Sequence, residues 1–435
     1  VSQTETTIRH RVRARLPFDV DALTAPPIRR LFIGTLLGAF GSGVVFALFV
    51  LYCHDIRHIP IYQATLILTW EALLGVALGP YCGTLIDRHG PSIVLTVTMP
   101  VLALGIMSIG FASTLPMLFA LGTVLAVSGA GLWSAFTVLI TRIVAEEHFQ
   151  DAFGVNFWLL NIGIGLGAII GTQIANLHDL HSFQLLYVLS GLLALGDAVM
   201  LFTLRRFGGR RDEPLAQDKS EEGWRTVLAD RRMVRFTLAG LVTMICGYGS
   251  IEAGIPLFIT KVAHLRIQVV GLVVFFNTFT IIVAQLFVLG GVRGKSRSLL
   301  LGLVGLLWGA SWLLATSSLA VGAVAAVCCL CVGQILFATG ETIWQPAAPA
   351  MVNAIAPEHL RGRYNALVGV IWGVSAAIGA QVAGVFFQLH AGRAWTIVLA
   401  AGAILGGLGL TTMRGVLTAE EDGRALPAPS DAAAA

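Results

Sequence analysis

Charge is scarce in this chain. Of 435 residues only 12% are Asp, Glu, Lys or Arg, about half the ~25% of a soluble domain, which excludes a water-facing surface of ordinary character. The six cysteines (Cys53, Cys82, Cys246, Cys328, Cys329 and Cys331) all fall inside apolar runs, where a small, weakly polar side chain simply packs, so a disulfide framework is excluded too. The ten histidines show no H-E-x-x-H spacing, and neither a nucleophile elbow nor an intramembrane pair of aspartates stands out. The chain is therefore expected to be neither an enzyme nor a metalloprotein. Leu289 to Ser296 nearly spells a phosphate loop, but it begins with Leu and closes an apolar run instead of joining a strand to a helix. ATP binding is not expected.

Apolar residues are what the chain has in excess, 56% of the total, with a mean hydropathy of +0.82. A membrane-spanning helix takes ~20 apolar residues. Twelve apolar runs bounded by polar loops can be traced, the first beginning near Leu31 and the last ending near Met413. Twelve spans leave room only for loops, a linker and tails. The expected fold is all-α and integral to the membrane, with twelve transmembrane helices in two pseudo-symmetric six-helix bundles. The divisions are a basic tail at 1–30, a first bundle at 31–205, a linker at 206–234, a second bundle at 235–414 and a tail at 415–435. In the linker, Trp224, Val227 and Leu228 have helical spacing and are flanked by charge, which fits either a short helix lying on the membrane surface or a solvated connection.

Of the 28 Lys and Arg, 24 fall in the tails and on one alternating set of loops. Positively charged loops resist translocation, so both termini are expected in the cytoplasm and the chain in the cell's inner (plasma) membrane. The net charge of +4 then reflects anchors beside an anionic leaflet and gives no reason to expect nucleic acid as a partner. The expected partners are membrane lipids and a small-molecule substrate, with the protein a monomer.

The halves look related to each other. Residues 145–153 read AEEHFQDAF and 356–364 read APEHLRGRY, which aligns Glu147 and His148 with Glu358 and His359 at an offset of 211. That offset places Glu341 opposite Ala130, near the middle of the fourth helix.

Between the second and third runs the chain reads Gly83-Thr-Leu-Ile-Asp87-Arg88-His-Gly90. Gly83 would let another helix approach, Asp87 would accept from a helix N-terminus, and Gly90 would permit a tight turn. This G-x-L-x-D-R-x-G run resembles the signature loop of the major facilitator superfamily, although Pro91 and Ser92 stand where the family usually has a basic pair. Gly163, Gly167 and Gly171 line one face of the fifth helix and allow close packing. With Ala168 and Thr172 they partly resemble the antiporter motif of exporters in that superfamily, and gating is the role this implies for both sets of residues.

Four acids lie within the apolar runs: Glu71, Asp197, Glu252 and Glu341. Each costs at least ~2.5–3.5 kcal/mol near the membrane centre. Without a partner the charged form is penalised, which makes them candidate proton carriers or cation ligands. Gly340-Glu341 with Pro346, and Glu252 with Pro256, resemble the acid-bearing helices of LmrP-like multidrug/proton antiporters. That resemblance implies proton-coupled efflux of lipophilic cationic or zwitterionic compounds by alternating access, with protons as coupling ion and no cofactor. Its acid on the fifth helix is replaced here by Asn156. Glu341, Glu252 and Glu71 are the expected coupling or binding residues, and Trp344, Asn156, Trp158 and Trp133 the expected cavity lining. Asp197, on a peripheral helix, is expected to snorkel or pair. An importer or facilitator of a specific metabolite on the same fold is the alternative, and a membrane enzyme or receptor the more distant one.

Overall fold

The computed structural model describes Leu23 and residues 25–209, 224–291 and 294–424. The sequence expectations for the arginine-rich stretch before residue 23, for 210–223 and for the last eleven residues lie outside the described residues.

Among the described residues, twelve helices are long and apolar enough to cross a membrane. In the first half these are α1 Pro26–Ile56, α2 Ile61–His89, α3 Pro91–Ile109, α4 Leu115–Ile143, α5 Glu146–Ile174 and α6 Leu180–Thr203. In the second they are α7 Arg231–Val262, α8 Gln268–Gly291, α9 Arg297–Ala320, α10 Ala323–Ile355, α11 Glu358–Gln388 and α12 Gly392–Gly415. No strand occurs among the described residues. An even number of spans puts the start of α1 and the end of α12 on one face, here called the termini face.

Local chemistry sets where the helices begin. Prolines occupy the first turn of α1 and α3, where a missing N–H costs nothing. Asp179 caps α6 by accepting the His181 N–H at 3.0 Å, and Asp230 caps α7 through the Arg232 N–H at 2.9 Å. Gly90, at φ 86°, makes the turn from α2 to α3. The helix Trp224–Ala229 precedes α7 and buries Val227, so that residue packs onto the protein.

Within each half the packing repeats. α1 lies on α5 and α6 as α7 lies on α11 and α12, and the halves meet through α2 on α11 and α5 on α8. The repeat extends to hydrogen bonds. Arg57 N–H to Tyr52 O, Ile59 N–H to Cys53 O and Gln63 N–H to Pro60 O recur as Ala263 to Phe258, Leu265 to Ile259 and Val269 to Arg266, each displaced by 206, and the left-handed residues His58 and His264 match as well.

At the α4–α5 turn the register differs from the sequence expectation. The 3₁₀ turn Glu146–His148 corresponds to Glu358–Leu360, with extended caps at Ala145 and Pro357. The displacement there is 212 (146 against 358) rather than 211. The shared Glu-His letters are out of step by one because the turn is set by its capping residue. The caps that open α4 and α10, Thr114 and Gly322, are 208 apart, so α10 is about one turn longer than α4 and no single offset assigns Glu341 a counterpart on α4.

Candidate functional site: two mirror cavities between the halves

Of the spans around the acids, α2 with Glu71 and α10 with Glu341 are continuous helices, whereas α1 and α7 are interrupted. α1 breaks at Ala47, a left-handed residue at φ 61°, and continues as a π-helix over Tyr52–Ile56. α7 breaks at Gly247 and ends in the equivalent π-helix, Phe258–Val262. A Cβ on Gly247 would run into the Trp308 ring, so this break needs glycine. It turns Tyr248, Ile251 and Glu252 toward the plane where the halves meet.

Two cavities flank a wall formed by Phe46, Tyr248 and Ile251, which line both. The larger, about 460 Å³, lies among α1, α2, α3, α4, α7 and α11 and contains Glu71 and Glu252. Glu252 opens onto this space although it lies deep among the helices, and Glu71 is half-buried, its Oε1 near the backbone of Gly122. The smaller, about 90 Å³, lies among α1, α5, α7, α8 and α10 and contains Asn161, Asn277, Gln334 and Glu341. No Lys or Arg among the described residues lines either one. Among the described residues, none of Glu71, Glu252 and Glu341 is held by an ion pair.

The cavities are counterparts under the internal repeat. On α2 and α8, Leu68, Glu71, Ala72 and Gly75 correspond by 206 to Val274, Asn277, Thr278 and Ile281, and all eight are lining residues. On α4, Gly122 stands beside Glu71 as, on α10, Gln334 stands beside Asn277, from whose Nδ2 it accepts at 3.1 Å. The repeat has thus kept a cavity at each place, of different size, and exchanged the chemistry.

Other expected site residues lie elsewhere. Trp344 lines neither cavity; it is buried, stacked on Trp308 with ring centroids 6.0 Å apart. Asn156 accepts from Thr35 Oγ1 at 2.8 Å and ties α5 to α1. Trp133 is 68% exposed on the termini-face half of α4, and Trp158 lies partly buried on α5. Asn161, Asn277, Gln334 and Tyr248 are the lining residues that sequence reasoning missed. Their amides and phenol look like any other helix residues in one dimension, and only the 206 displacement, applied to Glu71, would have pointed to Asn277.

The glycine face of α5 packs within the first half. A Cβ on Gly163, Gly167 or Gly171 would run into the backbone of α1 at Ala39–Phe40, Phe40 and Val44. Asp197 neither snorkels nor pairs. It is 5% exposed, its Oδ1 has no hydrogen bond among the described residues, and it is wedged against Gly34 and Gly38 of α1.

The two faces of the molecule differ. Away from the termini the halves are closed: Lys261 of α7 pairs with Asp55 of α1, the Ile61 N–H donates to Gln388 Oε1 at 3.0 Å, and Thr69 Oγ1 donates to the Ala377 carbonyl at 2.8 Å. Toward the termini they part. Gly79 and Gly83 of α2, Gly154 of α5 and Gly369 of α11 each face open space, so no helix approaches Gly83 in this conformation, and Asp87 and Arg88 are exposed.

Residues 31–379 match the Major Facilitator Superfamily. No curated protein matches the sequence. Among solved structures, the chain is similar to a POT family transporter in complex with a thioalcohol-conjugated peptide, at TM-score 0.73 and 13% identity over 90% of this chain and 96% of that one. A variant of the peptide transporter POT gives TM-score 0.74 and 14% identity over 89% and 94% of the two chains. The nucleoside transporter NupG gives 0.71 and 11% over 88% and 99%, in a variant form. At these identities the likeness is one of fold.

Proposed function

The chain belongs to the major facilitator superfamily, and on that premise we propose that it is a proton-coupled exporter of lipophilic cationic or zwitterionic compounds. The observation that carries this reading is the meeting of Glu71, Glu252 and Glu341 at cavities between the halves with no basic side chain beside them. Such a site attracts cations and resists holding three uncompensated negative charges. Protons and cargo then compete for the same carboxylates, which is the requirement for exchange.

In the mechanism, the space open toward the termini faces the cytoplasm, the side assigned by the excess of Lys and Arg. Ionised Glu252 and Glu341 draw cargo in, and the halves rock about the Phe46–Tyr248–Ile251 wall to open the opposite face. Protonation from outside neutralises the carboxylates and releases cargo. The coupling is the difference in affinity of each ligand for the two conformations. The protein works as a monomer in the plasma membrane, with protons as its coupling ion.

The test is uptake of a fluorescent lipophilic cation into proteoliposomes under an imposed proton gradient. Wild-type protein accumulates the dye and Glu341→Gln, still folded, does not; gradient-driven transport retained in Glu341→Gln would sink the assignment. A second reading is import of a specific metabolite, favoured by the peptide and nucleoside transporters whose fold the chain shares. The direction of proton movement on adding substrate separates the two.

A further inference from the structure

The smaller cavity is unusual in which hydrogen-bonding groups it leaves unused. Asn161 spends its Nδ2 on the Phe157 carbonyl at 2.9 Å, which leaves its Oδ1 as an acceptor. Thr278 donates its hydroxyl proton to the carbonyls of Val274 and Phe275, so that toward a ligand its oxygen can only accept. Asn277 donates one Nδ2 hydrogen to Gln334 Oε1 at 3.1 Å, which leaves the Asn277 Oδ1 as an acceptor and, as donors, the Gln334 NH₂ and one remaining N–H on each of Asn277 and Asn161. Glu341 adds a carboxylate. Against the lone pairs of these oxygens and of the carboxylate stand those few amide hydrogens and the Tyr248 hydroxyl, none of them charged, and a ligand that satisfies the cavity must therefore be positively charged and bring N–H donors of its own.

We propose that this cavity binds the head of a primary ammonium or guanidinium compound, with Asn161, Asn277 and Gln334 setting specificity and Glu341 providing the counter-charge. The rest of such a molecule lies along the apolar wall of Phe46, Ile251 and Ile255, which line the same space. The mirror cavity differs at the decisive positions: Glu71 stands where this one has Asn277, and Gly122 where it has Gln334. Amides do not titrate, so three of the four polar side chains that grip the head keep their form when protons bind. Within this cavity proton and cargo then compete at Glu341, and the amides set which cargo competes. This deepens the exporter reading and rests on it only for the term cargo; recognition itself is independent of transport direction.

The experiment measures binding to purified protein in nanodiscs by intrinsic tryptophan fluorescence, with 4-phenylbutylammonium, 4-phenylbutylguanidinium and 4-phenylbutyltrimethylammonium as probes. All three carry one positive charge and the same apolar body, and only the last has no N–H. The expected result is binding of the first two at least tenfold tighter than the third, with that ratio falling toward one in Asn277→Leu and in Gln334→Leu. Equal affinities for the three probes in wild-type protein overturn the proposal, and that comparison needs no variant to fold. Displacement of the ammonium probe by millimolar Na⁺ but not K⁺ also overturns it, since the acceptors would then belong to a metal cation. Tight, selective binding without gradient-driven transport keeps the cavity assignment and sinks the exporter reading instead.

Discussion

Asp55 and Lys261 occupy equivalent positions of the two halves, 206 residues apart, and pair with each other across the interface. Each sits in a π-helical last turn, of α1 and α7 respectively. With side chains 15% and 31% exposed, the pair stabilises the closed face by about 1 kcal/mol. Lys261→Met should raise the population open on that face about fivefold. The measure is the labelling rate of a cysteine placed at Gln388, in a background without other cysteines, by a membrane-impermeant maleimide. The swapped pair Asp55→Lys with Lys261→Asp should return the rate to its original value, and an unchanged rate in Lys261→Met would show that the pair does not hold this face shut.

Gly247 carries the break in α7 and meets a fixed ring. Trp308 donates Nε1–H to the Phe337 carbonyl at 3.0 Å and stacks on Phe337 with centroids 4.9 Å apart. The ring has nowhere to go, and Gly247→Ala should cost about 3 kcal/mol or more through overpacking. Thermal unfolding in detergent checks this. Gly79→Ala, facing open space, is the control expected to cost no more than about 0.5 kcal/mol.

Asp197 and Gly34 should be energetically coupled. A Cβ at Gly34 would run into Asp197 Oδ1 and lie 3.1 Å from Met200 Cβ. Gly34→Ala alone should destabilise by about 1–3 kcal/mol, and Asp197→Ala should recover about 0.5–3 kcal/mol of that in the double variant. Strict additivity of the two changes would argue against the contact.

Asp422 predicts an acid-sensitive anchor. It is fully buried and ties the chain after α12 to the start of α9, accepting from the Ser298 N–H at 2.9 Å and from Ser296 Oγ at 2.6 Å, with Arg424 Nε at 2.9 Å. Burial alone would push its carboxyl up, but the bonds from Ser296 and Ser298 and the Arg424 charge hold it below the usual range. A depressed native value means that this stabilisation is present above the ordinary Asp range near ~3.9 and is lost as pH falls through the native value. Asp422→Asn should therefore lower stability by about 1–3 kcal/mol at neutral pH, and the gap from wild type should close as the pH falls through the depressed native value. A gap independent of pH would assign the effect to packing.

The architecture was legible because apolar run length is a one-dimensional signal, and twelve runs of spanning length leave little else to build. Glu341, Glu252 and Glu71 were legible for a related reason, since an acid in an apolar run is conspicuous. Trp344 was misleading: proximity to Glu341 in sequence does not fix a side chain's direction, and the indole turns toward Trp308. The breaks at Ala47 and Gly247, which aim the site, depend on contacts from distant helices and leave no local pattern. Asp197 reads as a peripheral acid until Gly34 and Gly38 are found beside it.

The pairing of Asp55 with Lys261 also bears on how such a molecule can arise. Two equivalent positions that touch must lie on the two-fold axis relating the halves, where, in a dimer of identical six-helix units, a residue would face its own copy. Aspartate would meet aspartate and lysine would meet lysine, and either arrangement would push the units apart. Attraction at that point is available only to a molecule whose halves no longer share a sequence. Having both halves in one chain, each free to vary, is what allows a repulsive self-contact to become a latch.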